Sequence, residues 1–177
     1  MDRLVFSELE TDHFKLRLPI ESDMDDQFEF LMNKEHFPYA DYQIATVMAD
    51  VRVHFDKMML NHEKTSLFWM IALKESNRPI GSISAWNVDF KRNSIEFGYS
   101  LYPAYRGQGY MQEVLAKVMN YCNESLHFTT FVIWTHRDNL ASIRLAERMG
   151  FDFKGFIDEN AHYSDETITY ATFEKQV

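Results

Sequence analysis

The stretch IEFGYSLYPAYRGQGYMQEVLAKVMNYC, residues 95–122, decides the fold of this chain. At its start, apolar side chains occupy every second position, which is the period of a β-strand; they are Ile95, Phe97, Tyr99 and Leu101. Pro103 has no N–H group to donate to a ladder, so the strand ends there. From Met111 to Cys122 the apolar residues recur at helical spacing and predict an amphipathic helix of about three to four turns. The predicted order is therefore strand, short loop, helix.

The loop between strand and helix, Arg106–Tyr110, contains Gly107 and Gly109. Such a loop exposes backbone N–H groups at a helix N-terminus, where unpaired donors and the helix dipole favour an anion. The glycines let a phosphate approach the backbone, and Arg106 can add a bidentate hydrogen-bonding fork. Neither a nucleoside-triphosphate loop nor a dinucleotide-binding fingerprint is present. On the loop alone, phosphate binding and a tight turn before a packed helix both stay open.

Hydrophobic periodicity also predicts the strands and helices of the rest of the chain. In the first half of the chain, we predict a strand over 14–18, helices over 23–32 and 46–61, and paired strands over 67–73 and 79–86. After the helix that ends near Cys122, we predict a buried parallel strand over 128–134 and a helix capped by Asp138 or Asn139 and terminated by Gly150. The chain then closes with an antiparallel pair over 151–157 and 166–173. The helix over 46–61 is predicted to face inward with Val47, Val51, Phe55, Met58 and Met59, and the strands to bury Trp69 and Trp86. The result is one α/β domain, residues 1–177, with a mixed sheet.

Composition limits the class of protein. At 177 residues, with 46% hydrophobic and 15% aromatic side chains, the chain suits a folded domain with a sizeable core. Its one cysteine, Cys122, cannot form an intrachain disulfide, which favours a reducing cytoplasm. No secretory leader and no apolar stretch of membrane-spanning length is visible, so we expect a soluble protein without a membrane partner.

The formal net charge is −9, which disfavours direct nucleic-acid binding. The same charge fits attraction of a cationic acceptor such as an amine, and it equally fits a surface charge that serves solubility. The 7 histidines form no metal-ligand motif, so no metal site is expected.

The glycine loop and a second motif further along the chain together resemble those of a known family. Residues 104–109 resemble the Gln/Arg-x-x-Gly-x-Gly/Ala loop of the GNAT superfamily, the acyl-CoA-dependent N-acyltransferases. Gly107 and Gly109 match, whereas Ala104 departs at the first position and removes one polar contact. A second block, Asn139–Ser142 followed by Gly150 and Phe151, is similar to the family's N-x-x-S…G-F motif.

Two further stretches extend the resemblance to most of the chain, from about residue 14 to 173. Leu16-Arg17 followed by 21–23 looks like the family's opening L-R-x…D. Residues 96–101 are close to the E-x-G-Y-x-L of the ribosomal-protein branch, the RimJ/RimL type. The chain is thus identified by resemblance as a member of this superfamily.

This resemblance implies a fold and a cofactor. The fold is a single GNAT-like α/β (α+β) domain, whose mostly antiparallel sheet has a splayed central parallel pair and helices on both faces. Acetyl-CoA (coenzyme A) enters the gap between the splayed strands. The residues implied in its binding are Leu101 and Tyr102 along the pantetheine arm, Arg106, Gly107, Gln108, Gly109, Tyr110 and Met111 around the pyrophosphate, and Asn139 and Ser142 beside the thioester. The segment 33–44, with His36, Phe37, Tyr39 and Tyr42, either forms an acceptor-side lid or packs in the core.

Proton transfer needs two more groups. By family position, Ser142 donates to the leaving thiolate, and the alternative is a helix-surface serine. Glu96 can take the amine proton, directly or through water, and the alternative is a carboxylate paired to a neighbouring Lys or Arg. Relatives also place a carboxylate between the last two strands, where Asp158 and Glu159 are nearest. Further candidates are Tyr99, Tyr102 and Tyr163.

The acceptor is the least determined partner. An α-amine has a pKa of about 7.7–8.0 and a lysine about 10.4, so neutralising the first at pH 7 costs roughly 1 kcal/mol and the second about 4.6. This favours a protein N-terminus, as the ribosomal branch implies. A small amine such as a polyamine or an antibiotic is the second hypothesis, and a catalytically silent CoA-binding module is the third. Dimerisation is common among relatives, so a homodimer is possible, although the sequence carries no assembly signal.

Overall fold

The structure, a computed structural model, describes residues 3–41 and 44–177. The described residues form eight strands and four α-helices. Their bounds are β1 Leu9–Glu10, β2 Phe14–Arg17, α1 Met24–Leu31, α2 Met48–Asn61, β3 Leu67–Leu73, β4 Pro79–Asp89, β5 Ser94–Leu101, α3 Tyr110–Glu124, β6 Thr130–His136, α4 Leu140–Arg148, β7 Asp152–Asn160 and β8 Thr167–Gln176. The elements predicted from periodicity are confirmed, with ends that differ by a few residues, and β1 is an addition.

All eight strands form one sheet in the order β1-β2-β3-β4-β5-β6-β8-β7. Every neighbouring pair is antiparallel except β5 and β6, which are parallel. The predicted fold class is therefore confirmed. The parallel pairing extends over Ser94–Thr130, Ile95–Phe131 and Glu96–Val132, whereas β6 continues to pair with β8 as far as His136. The two central strands thus diverge after Glu96 and leave an opening that we call the β5–β6 gap.

Helices cover both faces of the sheet. On one face, which we call the α3/α4 face, the apolar residues of α3 and α4 pack against alternate strand residues such as Trp69, Phe97 and Phe131. On the opposite α1/α2 face, Val51 and Phe55 of α2 join Phe68 and Met70 of β3 in a smaller cluster. Because strand side chains alternate between faces, Glu96 points to the α1/α2 face and Tyr99 to the α3/α4 face.

Three predicted core residues are in fact exposed. Val47 is 53% exposed because α2 begins one residue later, and Met59 is 37% exposed because the buried stripe of α2 is narrow. Trp86 is 46% exposed, since it lies at the β-bulge of β4, beyond the part of the α1/α2 face that the helices cover. These predictions were wrong because periodicity reports a face and not how much of that face is covered.

A buried ion pair joins the first strand to the first helix. Arg17 donates to both carboxylate oxygens of Asp23, at 2.7 and 2.9 Å, and the two residues are 7% and 1% exposed. The same guanidinium donates to the backbone carbonyl and the side-chain oxygen of Asn77 in the β3–β4 turn. Asp23 therefore connects elements rather than capping α1.

Within residues 3–41 and 44–177, no helix is both long and apolar enough to cross a membrane.

Candidate active site

The edge of β5 that borders the β5–β6 gap carries unpaired backbone groups. The N–H of Tyr102 donates to the carbonyl of Ile80 in β4, at 2.8 Å. Because hydrogen-bonding direction alternates along an antiparallel strand, the backbone groups of Phe97, Tyr99 and Leu101 point away from β4. The pairing of Glu96 with Val132 uses the N–H of Phe97, and the carbonyl of Leu101 accepts from Arg106, so the carbonyl of Phe97, both groups of Tyr99 and the N–H of Leu101 face the gap. This edge can pair with an extended ligand as if the ligand were another strand.

The prediction for this edge needs one correction. Both backbone groups of Tyr102 are used, since its N–H reaches Ile80 and its carbonyl accepts the N–H of Tyr105 at 2.9 Å. Tyr102 therefore offers no unpaired backbone group to this edge, whereas the N–H of Leu101 lies on the gap side without a partner among the described residues. Sequence reasoning missed Phe97 and Tyr99, although strand parity counted back from Leu101 would have found them.

The glycine loop has the form expected of an anion cradle. Gly107 and Gly109 have φ angles of +74° and +80°, and a Cβ added at either would meet no atom within 4 Å. None of the hydrogen bonds among the described residues uses the backbone N–H groups of residues 107–111, which are Gly107, Gln108, Gly109, Tyr110 and Met111. Five consecutive donors therefore face open space at the N-terminus of α3, where the helix dipole also favours negative charge.

Arg106 does not offer the free bidentate fork that we predicted. Its Nε donates to the carbonyl of Leu101 at 2.8 Å, and another guanidinium nitrogen donates to the carbonyl of His36. Burial lowers the pKa of this side chain. The Gln108 side chain is also engaged, because its amide donates to the carbonyl of Ala104 at 3.1 Å. Both side chains brace the loop, so the cradle is made of backbone.

At the N-terminus of α4, Asn139 and Ser142 form a cap. The side-chain oxygen of Asn139 accepts the N–H of Ser142 at 3.3 Å, which confirms Asn139 as the N-cap residue. Ser142 is only 8% exposed, and its hydroxyl lies 2.9 Å from the hydroxyl of Tyr99. The helix-surface alternative for Ser142 is therefore wrong. Burial raises the pKa of Tyr99 to about 12.

Glu96 occupies the closed end of the gap. It is the last residue of β5 that pairs with β6, and it is 4% exposed. No ion pair among the described residues involves Glu96, so the Lys or Arg partner that we considered is not realised. Its carboxylate instead accepts from the side-chain amide of Asn87 at 3.0 Å, where a φ angle of +49° marks the bulge of β4. Burial raises the pKa of Glu96, and the Asn87 bond offsets part of that rise.

Several groups converge beyond Glu96 at the open end of the α1/α2 face. The ring of Tyr39 lies 5.3 Å from the ring of His136, and the carboxylate of Asp41 accepts the N–H of His162. Burial and the negative charges of Asp41, Glu159 and Glu96 raise the pKa of Tyr170. Of the two carboxylates that we considered between the last strands, Glu159 thus shares this side with Glu96.

The other tyrosine and carboxylate candidates lie elsewhere. Asp158 accepts from the Thr169 hydroxyl at 2.6 Å, on the opposite face of β8 from Tyr170. The Tyr102 hydroxyl meets Gln27, and Tyr163 is 61% exposed. Among the tyrosines that we considered, Tyr99 is therefore the one in contact with Ser142.

The segment over 33–44 contains both packed and exposed aromatic residues. His36 stacks on Phe30 at 5.3 Å and Phe37 meets the same ring edge-on at 5.5 Å, as core packing requires. Tyr39 is 40% exposed, and its ring lies 5.3 Å from that of His136, so the lid stays a prediction. Tyr42 lies outside the described residues.

The described part of the chain contains no group of three or more His, Cys, Asp or Glu side chains placed to hold a metal ion. A cavity of about 490 Å³ opens between the C-terminal end of α2 and the bulge of β4. Its lining includes Lys64, Trp86 and Asn87, so one wall of the cavity reaches the Glu96 carboxylate through a single amide.

Comparison with known proteins identifies the family of this chain. The family model described as "Acetyltransferase (GNAT) domain" matches residues 13–152. The chain is 27% identical over 154 residues to the uncharacterized N-acetyltransferase YoaA of Bacillus subtilis (strain 168), covering 86% of this chain and 87% of that one.

Two solved structures show the same fold at low identity. RimL, a ribosomal L7/L12 alpha-N-protein acetyltransferase in complex with coenzyme A, superposes with a TM-score of 0.84 at 21% identity, covering 97% of this chain and 98% of that one. Microcin C7 self immunity acetyltransferase MccE, in complex with acetyl-CoA and AMP, superposes with a TM-score of 0.82 at 20% identity, covering 94% and 93%.

Proposed function

The chain belongs to the GNAT family of acetyltransferases, and on that premise we propose that it acetylates the α-amine of a protein N-terminus, with acetyl-CoA as donor. The observation that supports this most is the β5–β6 gap, which has five free backbone N–H groups at one end and a buried carboxylate at the other. In this proposal residues 1–177 act as one catalytic domain.

The described residues fit acetyl-CoA as a ligand. The N–H groups of residues 107–111 would hold the diphosphate, because they form a dense array of donors that lack partners within the described chain. The edge of β5 from Phe97 to Leu101 would pair with the pantetheine arm. The thioester would then lie between Ser142 and Glu96, where it supplies an activated acetyl group.

The chemistry is mainly one of positioning. Holding an amine against a thioester is worth about 7–11 kcal/mol before any acid or base acts. Glu96 then takes the proton that the amine loses as its nitrogen bonds to the acetyl carbon, and a raised pKa suits a base that works near neutral pH. As the carbon–sulfur bond breaks, the Ser142 hydroxyl donates a hydrogen bond to the sulfur.

The choice of an α-amine rests on the cost of deprotonation. An α-amine needs roughly 1 kcal/mol to become neutral at pH 7 and a lysine about 4.6. Even with its pKa raised by burial, a carboxylate is a much weaker base than a lysine amine, so the acceptor that is easier to deprotonate suits it better. The neighbouring charges of Asp41 and Glu159 favour a cationic acceptor. RimL, an alpha-N-protein acetyltransferase, shares the fold.

A small cationic amine is the second candidate, because the same carboxylates would attract it without any need for a peptide. MccE, a microcin C7 self immunity acetyltransferase, shares the fold as well.

A panel of amines tests the proposal. One peptide has a free N-terminus and no lysine, a second has a blocked N-terminus and one lysine, and a polyamine is the third acceptor; release of the CoA thiol is followed for each. We expect the first peptide to be acetylated fastest. Faster turnover of the polyamine would replace the N-terminal proposal with the small-amine candidate, and failure of acetyl-CoA to bind in a calorimeter would overturn both.

A further inference from the structure

A hydrogen bond links β5 to α4 beside the β5–β6 gap. The hydroxyls of Tyr99 and Ser142 lie 2.9 Å apart; Ser142 is 8% exposed and Tyr99 is partly buried. Tyr99 also lies on the β5 edge whose backbone borders the gap. The bond therefore runs along the α3/α4 side of the place where the thioester would lie.

The direction of this hydrogen bond follows from the chemistry of the two hydroxyls. Each hydroxyl has one proton to donate and lone pairs to accept with. Ser142 is the only partner of the Tyr99 hydroxyl in the described part of the chain. A phenol is more acidic than an aliphatic alcohol and is therefore the stronger hydrogen-bond donor, whereas the serine oxygen is the stronger acceptor. Tyr99 is therefore the donor and Ser142 the acceptor.

This direction leaves the Ser142 proton free. A serine near the start of a helix otherwise turns its hydroxyl toward a backbone carbonyl one turn earlier. With one lone pair held by Tyr99, the Ser142 oxygen is fixed in place, and its proton can point into the gap. A fixed donor aimed at a site of developing charge costs no reorganisation during the reaction.

We infer that Tyr99 is a positioning residue, which acts through Ser142 to stabilise the thiolate that leaves when the acetyl group is transferred. This inference rests on the proposed function, because it presumes that CoA lies in the gap. Tyr99 keeps its own proton throughout, so no group other than the departing sulfur changes charge at this side of the site.

The test measures the thiol pKa of CoA bound to the full chain, by the ultraviolet absorbance of the thiolate and with an identical titration of the free protein subtracted. The protein's only cysteine, Cys122, does not interfere, because burial raises its pKa to about 12. Since a hydrogen bond to a charged group is worth about 1.5–3 kcal/mol, Ser142→Ala should raise the thiol pKa by about one unit or more. Tyr99→Phe should raise it by a large part of that amount, and the double variant by no more than Ser142→Ala alone.

A matched control is Tyr121→Phe on α3. It removes a hydroxyl that donates to the carbonyl of Val5, and it should leave the thiol pKa at the wild-type value. A purely structural role for Tyr99 would lower the melting temperature without moving the thiol pKa. The inference is overturned if Tyr99→Phe leaves the thiol pKa unchanged, or if its effect adds fully to that of Ser142→Ala. Either result leaves the proposed function standing, whereas absence of CoA binding to the wild type removes both.

Discussion

Replacing Asn87 with glycine should shift the pH dependence of acetyl transfer. The Asn87 amide donates to the Glu96 carboxylate at 3.0 Å and favours its charged form, against burial that favours the neutral form. Glycine removes the amide and keeps the left-handed backbone, because the φ angle of +49° at this position suits glycine at least as well as asparagine. The variant therefore isolates one hydrogen bond.

The expected size of the shift follows from that bond. A hydrogen bond to a charged group is worth about 1.5–3 kcal/mol, and each pKa unit corresponds to about 1.36 kcal/mol. Losing the bond should raise the pKa of Glu96 by about one to two units. Because the base must be deprotonated to accept the amine proton, the acidic limb of the kcat/KM profile should move to higher pH by the same amount, with little change on the alkaline side.

The assay is thiol release measured over a range of pH with the best acceptor from the amine panel. Asn93→Gly is the matched control, because Asn93 has the same φ angle of +49° but lies in the turn between β4 and β5, and its profile should match the wild type. An acidic limb that stays in place in Asn87→Gly would refute Glu96 as the base. A limb that moves equally in both variants would show that backbone changes, rather than the hydrogen bond, cause the shift.

Three further perturbations have defined outcomes. Gly109→Ala places a methyl group in the cradle and should weaken acetyl-CoA binding in a calorimeter by about tenfold or more. The control is Gly150→Ala, at a similar φ of +76°; both variants should lose roughly 1 kcal/mol of stability, but Gly150→Ala should bind acetyl-CoA like the wild type. Equal affinities of the two variants would exclude the cradle. Asp23→Ala leaves the buried Arg17 charge unpaired and should lower the free energy of unfolding in urea by about 3–5 kcal/mol, and a loss below 1 would contradict this. Glu96→Gln should raise the melting temperature at pH 7. A buried carboxyl with a raised pKa makes the folded protein less stable as the pH rises above the ordinary carboxyl pKa of 4.5, and glutamine removes this effect. The gain in melting temperature should vanish in acid, and a gain that persists there would have another cause.

The sequence was most informative where local rules are strict. Alternation up to Leu101, the proline that follows and the helical spacing from Met111 predicted the strand, loop and helix that build the cradle. Asn139 was identified as a cap because capping depends on neighbours within one turn. The splay of β5 from β6 was predicted from the family resemblance, because hydrophobic periodicity does not determine the order of strands in a sheet.

The details of the site depend on contacts that no local rule specifies. Arg106 looked like a phosphate ligand, yet its Nε and one terminal nitrogen donate to the carbonyls of Leu101 and His36, the second far away in sequence. The partner of Glu96 depends on a bulge in β4 that brings Asn87 opposite it. The contact between Tyr99 and Ser142 likewise requires the packing of α4 on β5.

The Arg17–Asp23 pair has a consequence for how the protein opens. One guanidinium holds β2, the approach to α1 and the β3–β4 turn, so α1 cannot detach by itself without leaving a charge unpaired in the interior. Partial opening that separates this pair therefore costs about 3–5 kcal/mol more than opening a helix that lacks one. In native-state hydrogen exchange, the amides of α1 should exchange more slowly than expected of a short surface helix.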